Sequence, residues 1–92
     1  MLELSAVQKD ALKKRIRRVC CAMARKMGMT AAFTATGIRV AQGPVAYVFD
    51  FKWNHLSNMW DLYHGNTWLA GRSQSYPNAI AYVVNHGAPN GN

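Results

Sequence analysis

The chain has 92 residues, half of them apolar, and its eleven Lys and Arg residues outnumber four Asp and Glu residues to give a formal charge of +7. This length predicts one domain with a single modest core and excludes a large catalytic pocket between two domains. The apolar content argues against a disordered chain. No apolar run approaches the roughly 20 residues that a membrane-spanning helix needs. Without an export signal at the N-terminus, we expect the protein to stay in the cytoplasm.

The first third of the chain predicts a long helix over Ala6–Met27. Ser5 and Gln8 have the spacing of a capping box, in which each residue binds the backbone N–H of the other. Gly28 follows as a terminator that can adopt a positive φ. Apolar residues recur between these ends at three- and four-residue steps and should face the core. They are Leu12, Ile16, Val19, Cys20, Met23 and Met27.

The two cysteines are neighbours, Cys20 and Cys21. On a helix their side chains diverge by about 100°, so a disulfide between them would be strained. We expect Cys20 in the core and Cys21 outside it, as free thiols in a reducing compartment. Neither these thiols nor the three histidines have the paired spacing of a zinc site, so no metal is predicted. The chain also lacks the glycine-rich motifs of phosphate-binding loops, and no cofactor or small-molecule substrate is expected.

After Gly28 the apolar pattern changes from helical to alternating, which is typical of strands. Four strands are predicted, within Phe33–Ala41, Val45–Trp53, Met59–His64 and Thr67–Ala70. A second helix should begin at Pro77 and end before Gly87, and residues 88–92 should form a flexible tail. The predicted fold class is α+β, with a long basic N-terminal helix, a small antiparallel sheet of about four strands and a short C-terminal helix. All of it forms one domain, residues 1–92.

Basic residues concentrate on the predicted first helix. The segment from Ser5 to Gly28 holds eight of them and one acid, Asp10, so it carries the whole net charge. Several of these like charges lie four residues apart, which costs about 0.2–0.5 kcal/mol per pair. The repetition of this cost along the helix indicates an anionic partner. The alternative is a basic face that only confers solubility. A membrane is disfavoured because the apolar side lacks Trp and Phe. The candidate binding residues are Lys9, Lys13, Lys14, Arg15, Arg17, Arg18, Arg25 and Lys26.

Aromatic residues are the second feature that suggests nucleic acid, because bases stack on aromatic rings in small RNA-binding folds. The aromatic set on the predicted strands is Trp53, Trp60, Trp68, Tyr47, Tyr63, Phe49 and Phe51. Such residues more often form the core of a small domain, and we predict this for Phe49 and Phe51. Trp60 and Trp68 flank a predicted hairpin turn, where exposure is more common. Together with Arg72 they are the possible additional contacts.

A 92-residue domain with a basic first helix, a small aromatic sheet and no catalytic motif resembles phage-encoded anti-CRISPR proteins, and among them the inhibitors of the type I-F surveillance complex. The resemblance covers the chain as a whole and is carried by no single motif. It implies a non-enzymatic protein in the cytoplasm of a bacterial host, which binds Cas subunits and crRNA and sterically blocks target DNA hybridisation. Many inhibitors of this group are acidic DNA mimics. Because this chain is basic, we expect contact with the RNA phosphate backbone or an acidic Cas patch instead of mimicry.

Two other functions stay open. The order of helix, strands and helix also resembles double-stranded-RNA-binding domains, which would make the protein a general RNA- or DNA-binding module. Those domains place key lysines at the start of the last helix, whereas Pro77–Val84 contains none. A small ribonuclease toxin is the third function, in which histidines such as His55 and His64 would supply a general acid and base. No local sequence motif supports that chemistry, so the protein is not predicted to be an enzyme.

Overall fold

A computed structural model describes residues 3–71 and 75–86 of the chain. It confirms the α+β class and both terminal helices. The elements in chain order are helix α1 (Ala6–Lys26), strands β1 (Thr30–Phe33), β2 (Gly37–Gln42), β3 (Val45–Asn54), β4 (Met59–His64) and β5 (Thr67–Ala70), and helix α2 (Tyr76–His86). No helix in these ranges is long and apolar enough to cross a membrane. The predicted end of α2 at Gly87 and the tail at 88–92 lie outside the described residues.

Helix α1 begins at the predicted Ala6 and ends at Lys26, one residue before the predicted Met27. Ser5 Oγ accepts a hydrogen bond from the Gln8 backbone N–H at 3.2 Å, and Gln8 Oε1 accepts one from the Ser5 N–H at 2.9 Å. Gly28 has a φ of +82° just past the helix. Its N–H donates to the Arg25 carbonyl at 3.0 Å, and the next N–H donates to the Ala24 carbonyl at 3.1 Å. These two bonds are those of a Schellman motif, which satisfies carbonyls that the last helical turn leaves unpaired.

The sheet is a meander of five antiparallel strands in the order β1-β2-β3-β4-β5, one strand more than predicted. The extra strand is β1, because the predicted Phe33–Ala41 segment contains a turn that separates β1 from β2. Thr34 closes this turn: its N–H donates to the Gly37 carbonyl and its Oγ1 accepts from the Gly37 N–H, both at 2.9 Å. The β4–β5 hairpin turns as predicted at Gly65, whose φ is +62°.

Both helices pack on one face of the sheet and enclose the core. From the sheet the core takes Ile38, Val40, Phe49, Phe51, Leu62 and Ala70, and from the helices it takes Ile16, Cys20, Cys21, Ala24, Tyr76, Ile80 and Val83. The predicted burial of Phe49 and Phe51 is confirmed. Two predictions for α1 are wrong: Val19 is 52% exposed, and Cys21 is only 2% exposed. The cause is that α1 packs against β1, β2 and α2 together, so its buried side is turned toward Arg17 and Cys21.

Neither helix packs on the opposite face of the sheet. Strand side chains alternate between the two faces, and on this face Arg39, Val48, Lys52 and Trp68 are exposed. Tyr63 and Asp50 are half-buried there and Asp61 is buried. We call these seven residues the open sheet face. The two sides of the domain therefore present different surfaces, a helical one and a bare sheet.

Candidate nucleic-acid interface

The eight predicted basic residues divide into two groups, and the first group is used inside the fold. Lys9 Nζ lies 4.9 Å from the centroid of the Trp53 ring, and Lys13 Nζ lies 4.7 Å from that of Trp60. The Trp60 indole N–H also donates to the Lys9 carbonyl at 2.9 Å. Lys9 is further paired with Glu3, and this hydrogen bond holds the pKa of the Glu3 carboxyl below its ordinary value. Both lysines thus fix α1 against the indoles of β3 and β4.

Arg17 follows Lys9 and Lys13 at the same four-residue spacing along α1. It is buried, with 7% of its surface exposed. Its guanidinium Cζ lies 4.2 Å from the centroid of the Phe33 ring. Nη1 donates to the Thr34 carbonyl at 3.1 Å and lies 3.5 Å from the Gly37 carbonyl oxygen. Nε has no hydrogen-bond partner among the described residues. The prediction that Arg17 faces a binding partner is therefore corrected: it lies against Phe33 and the turn between β1 and β2.

The second group points away from the sheet and forms what we call the outer basic face. It consists of Lys14, Arg15, Arg18, Arg25 and Lys26, all exposed. At 100° per residue these side chains fall within an arc of about 120°, and the 1.5 Å rise per residue spreads them over about 18 Å of the helix axis. The outer basic face is therefore a single elongated surface.

Two members of the outer basic face have partners within the chain. Lys14 Nζ lies 3.3 Å from Asp10 Oδ2, an exposed pair that contributes little because water screens it. Arg25 Nη2 donates to the Ala31 carbonyl at 3.1 Å, across the end of the helix. Arg15, Arg18 and Lys26 form no hydrogen bond or ion pair with any residue that the structure describes. Among the described residues of the outer basic face, these three cations are the ones left to bind an external anion.

The possible additional contacts do not lie together. Trp60 is half-buried on the helix-covered face, where Lys13 lies over its ring. Trp68 is 47% exposed and belongs to the open sheet face. Arg72 is outside the described residues. Trp60 and Trp68 are thus on opposite faces of the sheet, although both flank the same hairpin in the sequence.

His55 and His64 do not form a shared acid–base site in the part of the chain that the structure describes. His64 Nδ1 lies 3.1 Å from the Val48 carbonyl oxygen, and its ring centroid is 5.3 Å from that of Phe49. His55 follows β3 near the start of β4, whereas His64 ends β4, so the strand separates them by about 17 Å. They are too far apart to act on one phosphodiester bond. Within residues 3–71 and 75–86, no group of three His, Cys, Asp or Glu residues could hold a metal ion.

The thiols of α1 are poor nucleophiles because the core surrounds them. Cys20 and Cys21 are both free and buried. Burial raises the pKa of the Cys20 thiol to about 12. Burial also raises the pKa of the Cys21 thiol, with Arg25 and Arg17 opposing the shift. Since the thiolate is the reactive form, both residues serve packing at neutral pH.

Comparison of the chain with protein-family models, curated proteins and solved structures gives no significant match. The candidate interface therefore stands on the geometry of α1 alone. Sequence reasoning found the cations of this helix but not the line of Lys9, Lys13 and Arg17 over aromatic rings. Their four-residue spacing along the border of the apolar side was the available signal.

Proposed function

We propose that this protein is a non-enzymatic binding protein whose outer basic face contacts the RNA phosphate backbone of a ribonucleoprotein. The observation that carries the proposal is that Arg15, Arg18 and Lys26 are exposed and have no partner among the described residues. The fold uses Lys9, Lys13 and Arg17 but not these three. Like charges gathered on one helix without a structural use favour an anionic partner.

The geometry of the face suits a phosphate backbone. A single strand at the spacing it has in a duplex presents about five phosphate charges over the 18 Å that the five cations span. Arg15 and Arg18 can each make forked, charge-assisted bonds to phosphate oxygens, while Lys26 acts as a point charge. Contacts of this kind position a protein on RNA without reading its sequence. Shape or protein contacts must then supply the choice of partner.

For that partner we propose the type I-F CRISPR surveillance complex, on the strength of the resemblance to its phage-encoded inhibitors. The described domain measures 43 × 24 × 20 Å. A body of this size bound along the crRNA would deny target DNA access to the same stretch of guide. Inhibition would be stoichiometric and steric, and it would take place in the cytoplasm of the bacterial host.

The test is binding to the purified type I-F complex at several salt concentrations, with the RNA-free Cas subunits as a second target. A variant carrying Arg15→Gln, Arg18→Gln and Lys26→Gln removes three charges from the outer basic face. Since each phosphate contact contributes about 0.7–0.9 to the slope of log K against log salt, the slope should fall by about 2 to 3. Inhibition of DNA hybridisation should weaken in parallel.

A matched control lowers the net charge by the same three units elsewhere on the surface. Gln42→Glu, Asn78→Glu and Asn85→Glu change exposed residues outside α1, and this variant should keep the salt slope of the unaltered protein. Equal slopes for the two variants would mean that only net charge matters and would contradict the proposal. Equally tight binding to free duplex RNA would instead favour a general RNA-binding module.

A further inference from the structure

The open sheet face is a described surface that the proposed function leaves unused. Arg39 on β2 lies directly opposite Val48 on β3, and Tyr63 on β4 lies opposite Trp68 on β5. Val48 and Trp68 are among the exposed large apolar residues of the domain. An antiparallel sheet that only faces water usually carries polar side chains at such positions. These exposed apolar and aromatic residues therefore make the open sheet face a candidate ligand-binding surface.

Trp68 is the ring on this face that is available for stacking. The indole lies against the Gly71 backbone, since a Cβ placed on Gly71 would be 3.2 Å from Trp68 Cζ2. About half of Trp68 stays exposed, and no ring or cation of the described residues covers it. Tyr63 differs, because Lys52 Nζ lies 4.4 Å from its ring centroid. The close Gly71 backbone thus restricts the position of the Trp68 indole on the edge strand β5.

The exposed charged side chains of the open sheet face are basic, and the two carboxylates of this face are less exposed. Its exposed ionisable side chains are Arg39 and Lys52. Asp50 and Asp61 lie on the same face, opposite Tyr63 and Lys52, but Asp50 is half-buried and Asp61 is buried, and each accepts a hydrogen bond from a neighbouring side chain. A ligand on this face therefore meets two cations and an exposed indole. Single-stranded nucleic acids are bound through this combination, with bases on aromatic rings and phosphates on cations.

We propose that the open sheet face is a second nucleic-acid surface, on which one base of a single-stranded RNA stacks on Trp68 while Lys52 and Arg39 bind neighbouring phosphates. Arg39 and Trp68 are three strands apart, about 14 Å, so a few nucleotides lying across the sheet reach both. This surface does not depend on the function proposed for α1, because both helices pack on the other face. A second copy of the chain is a poorer occupant, since two molecules of charge +7 repel each other.

The test compares two probes of equal length and charge: a fluorescent ten-nucleotide RNA and a ten-unit abasic ribose-phosphate chain. The unaltered protein should bind the RNA about 5- to 150-fold more tightly than the abasic chain, the range expected for one stacked base. Trp68→Ala should reduce RNA affinity to the abasic level and leave abasic binding unchanged, and Trp68→Phe should restore part of the difference. Tyr82→Ala, which removes an exposed ring from α2, should change neither.

A probe containing 5-bromouracil tests the unaltered protein, so the result does not depend on how a variant folds. Irradiation should crosslink it to the peptide that contains Trp68. The inference is overturned if crosslinks occur only on other peptides, if RNA and abasic chain bind equally, or if Trp68→Ala abolishes self-association instead. Failure of the function proposed for α1 is separable, since the Arg15, Arg18 and Lys26 variant should keep the RNA-to-abasic affinity ratio.

Discussion

Replacing Arg17 by alanine should destabilise the fold, although the sequence groups this residue with the binding cations. The guanidinium contacts the Phe33 ring at 4.2 Å and donates to the Thr34 carbonyl at 3.1 Å. It does so in a buried position, with 7% of the residue exposed. Arg18, the next residue, is exposed and makes none of these contacts. The two arginines therefore form a matched pair in which one is structural and the other is free.

The size of the effect follows from four contributions. A hydrogen bond to a charged group contributes about 1.5–3 kcal/mol, and the cation–π contact about 0.5–2 kcal/mol. The cost of burying a guanidinium that has no carboxylate partner offsets part of this. The net loss for Arg17→Ala should be about 2–3 kcal/mol, including the cavity left by the side chain. Arg17→Met keeps the aliphatic stem and removes the charge, so it should cost about 1 kcal/mol or less.

Urea and thermal unfolding followed by circular dichroism measure these differences. At about 4–8 °C per kcal/mol for a domain of this size, Arg17→Ala should lower Tm by about 8–24 °C. Arg18→Ala should stay within about 0.5 kcal/mol of the unaltered protein. Equal stabilities of Arg17→Ala and Arg18→Ala would refute the structural role of Arg17 and favour its assignment to the binding surface.

Two further predictions concern a backbone contact and a buried thiol. Gly37→Ala should destabilise the protein more than Gly28→Ala in thermal unfolding. A Cβ at Gly37 would lie 1.9 Å from the Phe49 carbonyl oxygen, whereas a Cβ at Gly28 meets open space and only the positive φ of Gly28 costs stability, about 1–2 kcal/mol. A smaller loss of stability for Gly37→Ala than for Gly28→Ala would contradict this. Burial raises the pKa of the Cys20 thiol from 9.0 in the unfolded chain to about 12 in the folded protein, so the thiol ionises first in the unfolded state. The neutral buried thiol therefore contributes its full stability to the fold below pH 9, and this contribution is lost between pH 9 and 12. Urea unfolding should show the unaltered protein losing stability relative to Cys20→Ala over that interval, and a constant difference would count against the burial of this thiol.

Local signals predicted the elements whose ends are determined by neighbouring residues. The capping box of Ser5 and Gln8 and the glycine at position 28 determine α1 within one residue of its observed end. Alternating apolar residues placed Phe49 and Phe51 in the core, because a strand with one covered face has a period of two. β1 was missed because Thr30–Phe33 contains two alanines and no alternating pattern, so its strand conformation depends on pairing with β2.

The orientation of α1 could not be predicted from its own residues. A helical period gives the width of the apolar side but not which neighbours cover its borders. Here β1 and α2 also pack on α1, so Cys21 and Arg17 are buried and Val19 is exposed. The rings under Lys9 and Lys13 lie on strands more than 40 residues away, and only the assembled sheet places them there.

This division of the basic residues determines how any charge test on α1 must be designed. A variant that reverses Arg15, Arg17 and Arg18, the set that the sequence suggests, would unfold part of the protein at Arg17 and lose binding for that reason alone. Removing charge at Arg15, Arg18 and Lys26 changes only side chains without partners in the described chain. Loss of binding in that variant, at unchanged Tm, would therefore report the interface itself. The same loss of binding at a lowered Tm would mean that the variant loses binding because its fold is destabilised.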